Sequence, residues 1–455
     1  MDEPQPANSA PPDAVPPDAV PPDAVQPDAV PPAGPPPGGR GRSWLRGLAL
    51  LVVLAFVVGA VGWAAAGGIV IPGVNGPTGG TPSGATPGAP TSSPDGAATP
   101  TPEPPPTPTP MPPLGGTELY GYLPYWQMTD NLAPYLDRVP VSTMALFSVS
   151  VRKNGHLKTG EVGYLRITGD RGRALIAAAH ARGQRVELAF TSFGYDLNTR
   201  LFGDDDVALQ RRGRAAQALL ALVGDLGLDG LNIDVERVDG DIGLGYADFL
   251  ASLRTGLDEL GRGKTLSVAT TAGHQGATLA LDAVDAGADR VFLMGYDYHW
   301  TGSGAGASSP VHNRDSGIDL TSSITDYVET GVPRDRIILG LPLYGMSWPV
   351  AGPGRAADVL GHGSVWIPAN HRKMLLATGF SPAFDVWEIA DYFVEPEGDA
   401  WRATYYDSPR TLVIKMTLAR EQGLAGAGFW ALGYEAGLPG YVELMRDFAA
   451  GRVGS

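Results

Sequence analysis

The stretch LDGLNIDVE, residues 228–236, sets Asn232, Asp234 and Glu236 two apart, with Leu231, Ile233 and Val235 between them. Side chains of a strand alternate faces, so the three polar residues share one side and the three apolar ones the other. On an antiparallel sheet such a polar face is ordinarily the solvated one. In a closed parallel barrel it would point inward, and acids near the strand's end would face the mouth where such folds do chemistry. The kind of sheet that holds this strand therefore decides both the fold and the use of its acids.

From residue 117 onward one unit recurs: an amphipathic run, a glycine, a short polar link and a brief apolar run. It is visible in AAAHARGQRVELAF, LVGDLGLDGLNIDV, LDELGRGKTLSVAT, DAVDAGADRVFLMGY, YVETGVPRDRIILGLPLY and AREQGLAGAGFWALG. Gly183, Gly227, Gly263, Gly287, Gly331 and Gly423 fall just past the helical runs, where a left-handed backbone favours a residue without Cβ. Two earlier apolar runs, ELYGYLPYW (118–126) and VSTMALFSVSV (141–151), bring the strand count to eight. Alternating helices and strands in that number predict an α/β fold, a (β/α)8 TIM barrel. A doubly wound open sheet is the alternative, but the glycine fingerprint that usually follows its first strand is absent. In the barrel Leu231, Ile233 and Val235 pack under helices and the acids point inward.

The chain before residue 117 has a different character. It holds most of the 42 prolines, repeats PPDAV through residues 11–32, and runs through Gly, Thr, Ser and Pro to TPTPEPPPTPTP. Such segments have too few large apolar side chains to offset the entropy of ordering. Residues 1–46 are expected to be a disordered tail, and 72–116 a semi-rigid linker with polyproline character. Between them GLALLVVLAFVVGAVGWAAAGGIVI (47–71) carries no charge and is long enough to cross a bilayer. A cleaved signal peptide would seldom follow so long a leader and would have a shorter apolar core. The run is therefore expected to be a single transmembrane helix. Arg40, Arg42 and Arg46 precede it and no Lys or Arg follows until Arg138, which places the N-terminus in the cytoplasm and residues 117–452 outside.

The absence of cysteine excludes disulfides, zinc thiolates and cysteine nucleophiles. A formal charge of -15 with no compensating basic run argues against nucleic acid as a partner. The seven histidines show no metal-ligand spacing, so neither metal nor cofactor is expected. DELGRGKT (258–265) lacks the first glycine of a phosphate-binding loop and precedes a strand, whereas such a loop follows one. GSGAGASS (302–309) reads as a flexible loop.

DGLNIDVE, from Asp229 to Glu236, resembles the Asp-Gly-x-Asp-x-Asp-x-Glu run on the fourth barrel strand of glycoside hydrolase family 18, which includes chitinases and N-acetylglucosaminidases. The resemblance extends over LMGYDYHW (293–300), LGLPLYGMSW (339–348), YYDSPRTLVIK (405–415) and GFWALG (428–433), and so over most of residues 117–450. It implies hydrolysis of a glycan containing N-acetylglucosamine, chitin or peptidoglycan, by a monomeric catalytic domain. In retaining enzymes with a carboxylate nucleophile, two acids flank the scissile bond; Asp234 and Glu236, neighbours on one strand, cannot both do so. The family instead uses the 2-acetamido oxygen of the substrate as nucleophile.

By the same resemblance Glu236 is the acid and then the base, and Asp234 holds the acetamido N–H and should raise the acid's pKa by like-charge repulsion. Tyr296 donates its hydroxyl to the acetamido oxygen, Asp297 binds a sugar hydroxyl, and Trp430 floors the sugar. Met294, Tyr122, Tyr344, Asn232 and Asp229 complete the expected substrate-binding set. Three departures stand out: Asn232 replaces an acid, as in a branch resembling spore cortex-lytic and cell-wall glucosaminidases; TSFG (191–194) replaces Ser-x-Gly-Gly; and Met346 stands where Arg often follows Tyr-Gly. Residues 349–400 are expected to form a small insertion between strands seven and eight that walls one side of the cleft. A noncatalytic glycan-binding barrel is the alternative, although such proteins usually lose the acid that is kept here.

Overall fold

The structure, a computed structural model, describes residues 117–453 apart from 239, 241 and 316. The tail, apolar helix and linker expected over 1–46, 47–71 and 72–116 lie outside the described residues. Among the described residues no helix is long and apolar enough to cross a membrane.

Seven strands come first: β1 (Glu118–Pro124), β2 (Thr143–Ser150), β3 (Arg185–Ser192), β4 (Gly230–Val235), β5 (Thr265–Thr271), β6 (Arg290–Met294) and β7 (Ile337–Pro342). Five more form a separate sheet, β8 (Gly345–Val350), β9 (Ser364–Trp366), β10 (Ala383–Asp385), β11 (Ala390–Glu397) and β12 (Ala400–Tyr406). The last, β13 (Gly426–Trp430), slots between β7 and β1 and closes a parallel barrel of eight strands. The expected barrel is therefore present, with its eight strands where the apolar runs lie.

The punctuating glycines explain why each helix gives way to a strand. All six have positive φ, from 65° at Gly227 to 113° at Gly331. The helix Gly243–Leu260 is capped by Gly261, so Gly263 serves the turn that follows and not the cap. In β4 all six residues are buried, and Leu231, Ile233 and Val235 face the helical layer, each burial worth about 1.5–3 kcal/mol. Gly230 is required for a different reason: a Cβ there would sit 2.1 Å from the Thr265 carbonyl oxygen, so only glycine lets β4 and β5 pair in this register.

The insertion is larger than expected, reaching from Gly345 to Tyr406 and not merely 349–400. LGLPLYGMSW looks like one continuous apolar strand, but it ends as β7 at Pro342, and from Gly345 the chain pairs antiparallel with β12. The insertion braces the segment after β6. Arg314 meets Asp385 at 2.6 Å, the Ala307 amide donates to Glu388 Oε2 at 2.9 Å, and the Gly363 amide donates to the Thr301 carbonyl at 2.7 Å. That bracing corrects the reading of 302–309 as a flexible loop: from Gly306 on it is buried, and Ser309 Oγ donates to the Gly295 carbonyl at 2.5 Å.

Candidate active site

Parallel pairing aligns the C-terminal ends of all eight barrel strands, so residues at or just past those ends meet although they are distant in sequence. Asp234 from β4, Met294, Tyr296 and Asp297 from the end of β6, Tyr344 past β7, Trp430 from β13, Tyr122 from β1 and Phe147 from β2 line one hollow. Seven of these eight are among the residues singled out in the sequence. Phe147 is the eighth, hidden in a run that reads as ordinary core, and its ring meets Trp430 edge to face at 4.7 Å. A larger hollow of about 1040 Å³, counting the part open to solvent, lies beside the helix Asp206–Leu226, lined in part by Arg152, Asn154 and His156, and contains none of them.

Asp229 is not brought to this mouth. It precedes β4, at the strand's opposite end, where its Oδ2 accepts from the Val186 amide at 2.8 Å and lies 2.8 Å from His180 Nε2. Its role is to fix the entry of β3 and β4, and the expected substrate contact is thereby corrected. Only the resemblance groups it with Asn232 and Asp234: an odd number of residues from both, it does not share their alternating face, and the motif says nothing of depth along the barrel.

Depth also separates two inward carboxylates that share one electrostatic state. Burial raises both Glu187 and Asp234 to a pKa of about 7. Glu187, near the bottom of the barrel, accepts hydrogen bonds from Tyr120 at 2.7 Å, Thr265 at 2.5 Å and Ser267 at 3.0 Å. Asp234 Oδ1 is buried with no protein partner. An unsatisfied buried acceptor costs about 1–3 kcal/mol, so it marks a place where a ligand donor would be bound.

Asn232 lies one layer deeper. Its Oδ1 accepts from the Tyr122 hydroxyl at 3.0 Å, and its Nδ2 is buried without a protein partner. Being an amide, it can neither take up nor pass on a proton for Asp234. Burial and the nearby Asp234 charge push the Tyr122 hydroxyl well above its ordinary pKa, so it stays protonated and available as donor.

Asp297 is held in a left-handed conformation, φ 61°, that aims its carboxylate across the hollow. Tyr344 and Ser308 donate to its Oδ1, the latter at 3.2 Å, and the Asp297 amide donates to Ser308 Oγ at 3.0 Å. Burial lifts its pKa to about 6 against the lowering effect of those hydroxyls. Ser308 is a positioning residue that the sequence does not reveal, since GSGAGASS has the composition of a linker. Tyr296 has its hydroxyl pushed well up by burial, then by Tyr122 and the charges of Asp234, Asp297 and Glu236. It therefore remains a hydrogen-bond donor across the working pH range.

Glu236 follows β4 directly, and its backbone is pinned from two sides. Its amide donates to the Ser192 carbonyl at 3.3 Å, and its carbonyl accepts from Asn198 Nδ2, whose Oδ1 in turn accepts from Ser192 Oγ at 2.7 Å. Asn198, on the helix Tyr195–Phe202, carried no signal in the sequence. The Glu236 side chain lines a second hollow, between β4 and β5, with Arg237, Thr270, Thr271 and Gln275. Met294 lines both hollows, so Asp234 looks into one and Glu236 into the next.

A closed parallel barrel with carboxylates, phenols and an indole collected at its C-terminal mouth defines a (β/α)8 protein with its candidate site at the strand ends. The model of glycosyl hydrolases family 18 matches residues 119–435, and the chain belongs to that family. An endochitinase of Brugia malayi is 26% identical over 285 residues, 56% of this chain and 54% of the relative. The chain thus spans about half the length of such curated relatives. Two solved structures share the fold. The spore cortex-lytic enzyme SleL of Bacillus cereus has a TM-score of 0.56 at 19% identity, over 73% of this chain and 74% of that one. A family 18 N-acetylglucosaminidase of Paenibacillus barengoltzii has 0.60 at 18%, over 73% and 100%.

Proposed function

We propose that residues 117–453 hydrolyse β-1,4 bonds on the reducing side of N-acetylglucosamine by substrate-assisted retaining catalysis. The observation that carries this is the orphaned Asp234 Oδ1 in an aromatic hollow, two residues before an acid that faces the adjoining hollow. The acetamido N–H of a sugar seated on Trp430 satisfies that oxygen. Tyr296 holds the acetamido oxygen against the anomeric carbon, and Asp297 takes a ring hydroxyl. Glu236 gives its proton to the glycosidic oxygen as the C–O bond breaks and the acetamido oxygen bonds to carbon, forming an oxazolinium whose positive charge Asp234 balances. Glu236, now a carboxylate, removes a proton from the water that reopens the ring, so configuration is retained.

Incubating the protein with purified peptidoglycan and with chitin oligomers, then weighing the products, tests this reading. New reducing ends on N-acetylglucosamine are expected, first released as the β anomer. Retention of glycan without any cleavage would favour a binding protein on the same barrel.

The uncharged run 47–71 and the arginines before it support a membrane-anchored arrangement with the barrel outside the cell. The barrel is taken to act as a monomer. On that reading the full chain pellets with membranes, and protease added to intact cells cuts within 72–116 and frees the barrel. Recovery of the barrel only after lysis would refute that orientation.

A further inference from the structure

We infer that the hollow on the departing side of Glu236 takes a sugar bearing a carboxylate substituent, and that Arg237 recognises that carboxylate. The inference rests on the glycosidase reading and names the substrate class within it. The acid's proton goes to the oxygen between the two sugars. The sugar that reacts sits over Asp234 and Trp430, so the departing one occupies the hollow that Glu236 lines.

The two hollows differ in size and chemistry. Counting the part open to solvent, the first leaves about 360 Å³ unfilled and the second about 890 Å³, room for a ring with a sizeable substituent. The first is walled by five aromatic rings. The second offers Tyr195 as its one ring, with the hydroxyls of Thr270 and Thr271, the amide of Gln275 and the guanidinium of Arg237. That lining suits a polar, charged group more than the stacking faces on which a plain sugar ring is ordinarily held.

Arg237 is the cation of this hollow, and it is exposed. Its backbone has φ 62°, and its carbonyl faces Asn198 Nδ2 at 3.5 Å. Among the described residues no carboxylate forms an ion pair with its guanidinium. A chain of formal charge -15, with Asp234, Glu236 and Asp297 in the cleft, would repel an anionic glycan. A guanidinium at the rim reverses that locally and can hold a carboxylate through two parallel hydrogen bonds. A neutral glycan makes no such use of it. The chemistry fits a glycan in which N-acetylglucosamine alternates with its 3-O-lactyl derivative, the lactyl acid lying on the departing unit.

The test compares the full chain with Arg237→Ala and Arg237→Lys on two tetrasaccharides of that alternating type, one with free lactyl carboxyls and one with the carboxyls amidated. The readouts are kcat and KM separately, at low and high salt. The wild type is expected to prefer the free acid by about tenfold or more, mostly in KM, with the preference weakened by salt. Arg237→Ala should collapse the ratio toward one and Arg237→Lys should restore part of it. A ratio unchanged in Arg237→Ala, or a wild type indifferent to amidation, overturns the inference. Calorimetric binding of the same pair to Glu236→Gln, with and without Arg237→Ala, measures the same selectivity even if no glycan is cleaved. Failure of turnover thus bears on the glycosidase reading, and loss of selectivity bears on Arg237.

Discussion

Glu236→Gln is expected to lower kcat on an N-acetylglucosamine oligomer by about 10³-fold or more, within the range that a positioned proton donor supplies. The physical reason is the leaving group. A sugar alkoxide is a strong base and departs only as it is protonated, and glutamine has no proton to give. An aryl leaving group such as 4-methylumbelliferone departs with far less help, so the same variant should lose about tenfold less on the aryl glycoside in the ring-closing step. The following hydrolysis still lacks its base and becomes limiting. The near-isosteric amide leaves the Glu236 backbone contacts to Ser192 and Asn198 intact, so the thermal midpoint should hardly move. Undiminished turnover with the oligomer would remove Glu236 from the mechanism.

Asp234→Asn should separate activity from stability. The substitution removes the negative charge that balances the oxazolinium and replaces an acceptor with an amide, so kcat/KM should fall by about 10²-fold or more. Stability should move the other way. The folded pKa, about 7, lies above the ordinary 3.8 because burial disfavours the charge. The folded state therefore holds this proton more tightly than the unfolded one. That contribution is fully present below pH 3.8 and is lost as pH rises toward about 7. Asparagine does not titrate, so the variant should be more stable than wild type near pH 8, by on the order of a few kcal/mol, with the gap closing at about pH 4. Urea titrations at both pH values measure this. The same proton should give wild-type kcat/KM an acidic limb near neutrality, because only the carboxylate balances the oxazolinium. A variant less stable than wild type at pH 8 would show that the Asp234 charge is compensated in the fold.

Much of this site is legible in the chain alone. Alternation along LDGLNIDVE puts Asn232 and Asp234 on one face, and glycines after six helical runs imply the parallel barrel that turns that face inward. By resemblance MGYD and GFW point to Tyr296, Asp297 and Trp430, and the three meet in one hollow because local spacing at a strand end is preserved when the strand is laid into a barrel. The misses share a cause. Asp229 belongs to the same motif as Asn232 and Asp234, but it lies an odd number of residues from both, off their face, and its depth in the barrel is a property of the register with β3 and β5. Ser308 and Asn198 act through residues 11 positions away and 38 positions away, and nothing in their own neighbourhood marks them.

Periodicities are written in the chain: which residues alternate, where helices stop, how many strands the barrel has and which acids share a face. These depend on interactions a few residues long. It takes the closed barrel to tell which inward carboxylate is satisfied and which is not. Glu187 and Asp234 are both acids on inward faces of barrel strands, each raised to about 7 by burial. One is surrounded by hydroxyls from β1 and β5, and the other faces an open hollow with an empty acceptor. That difference arises from strands far apart in the chain and brought side by side, and it is what turns one buried acid into scaffold and leaves the other free for a substrate.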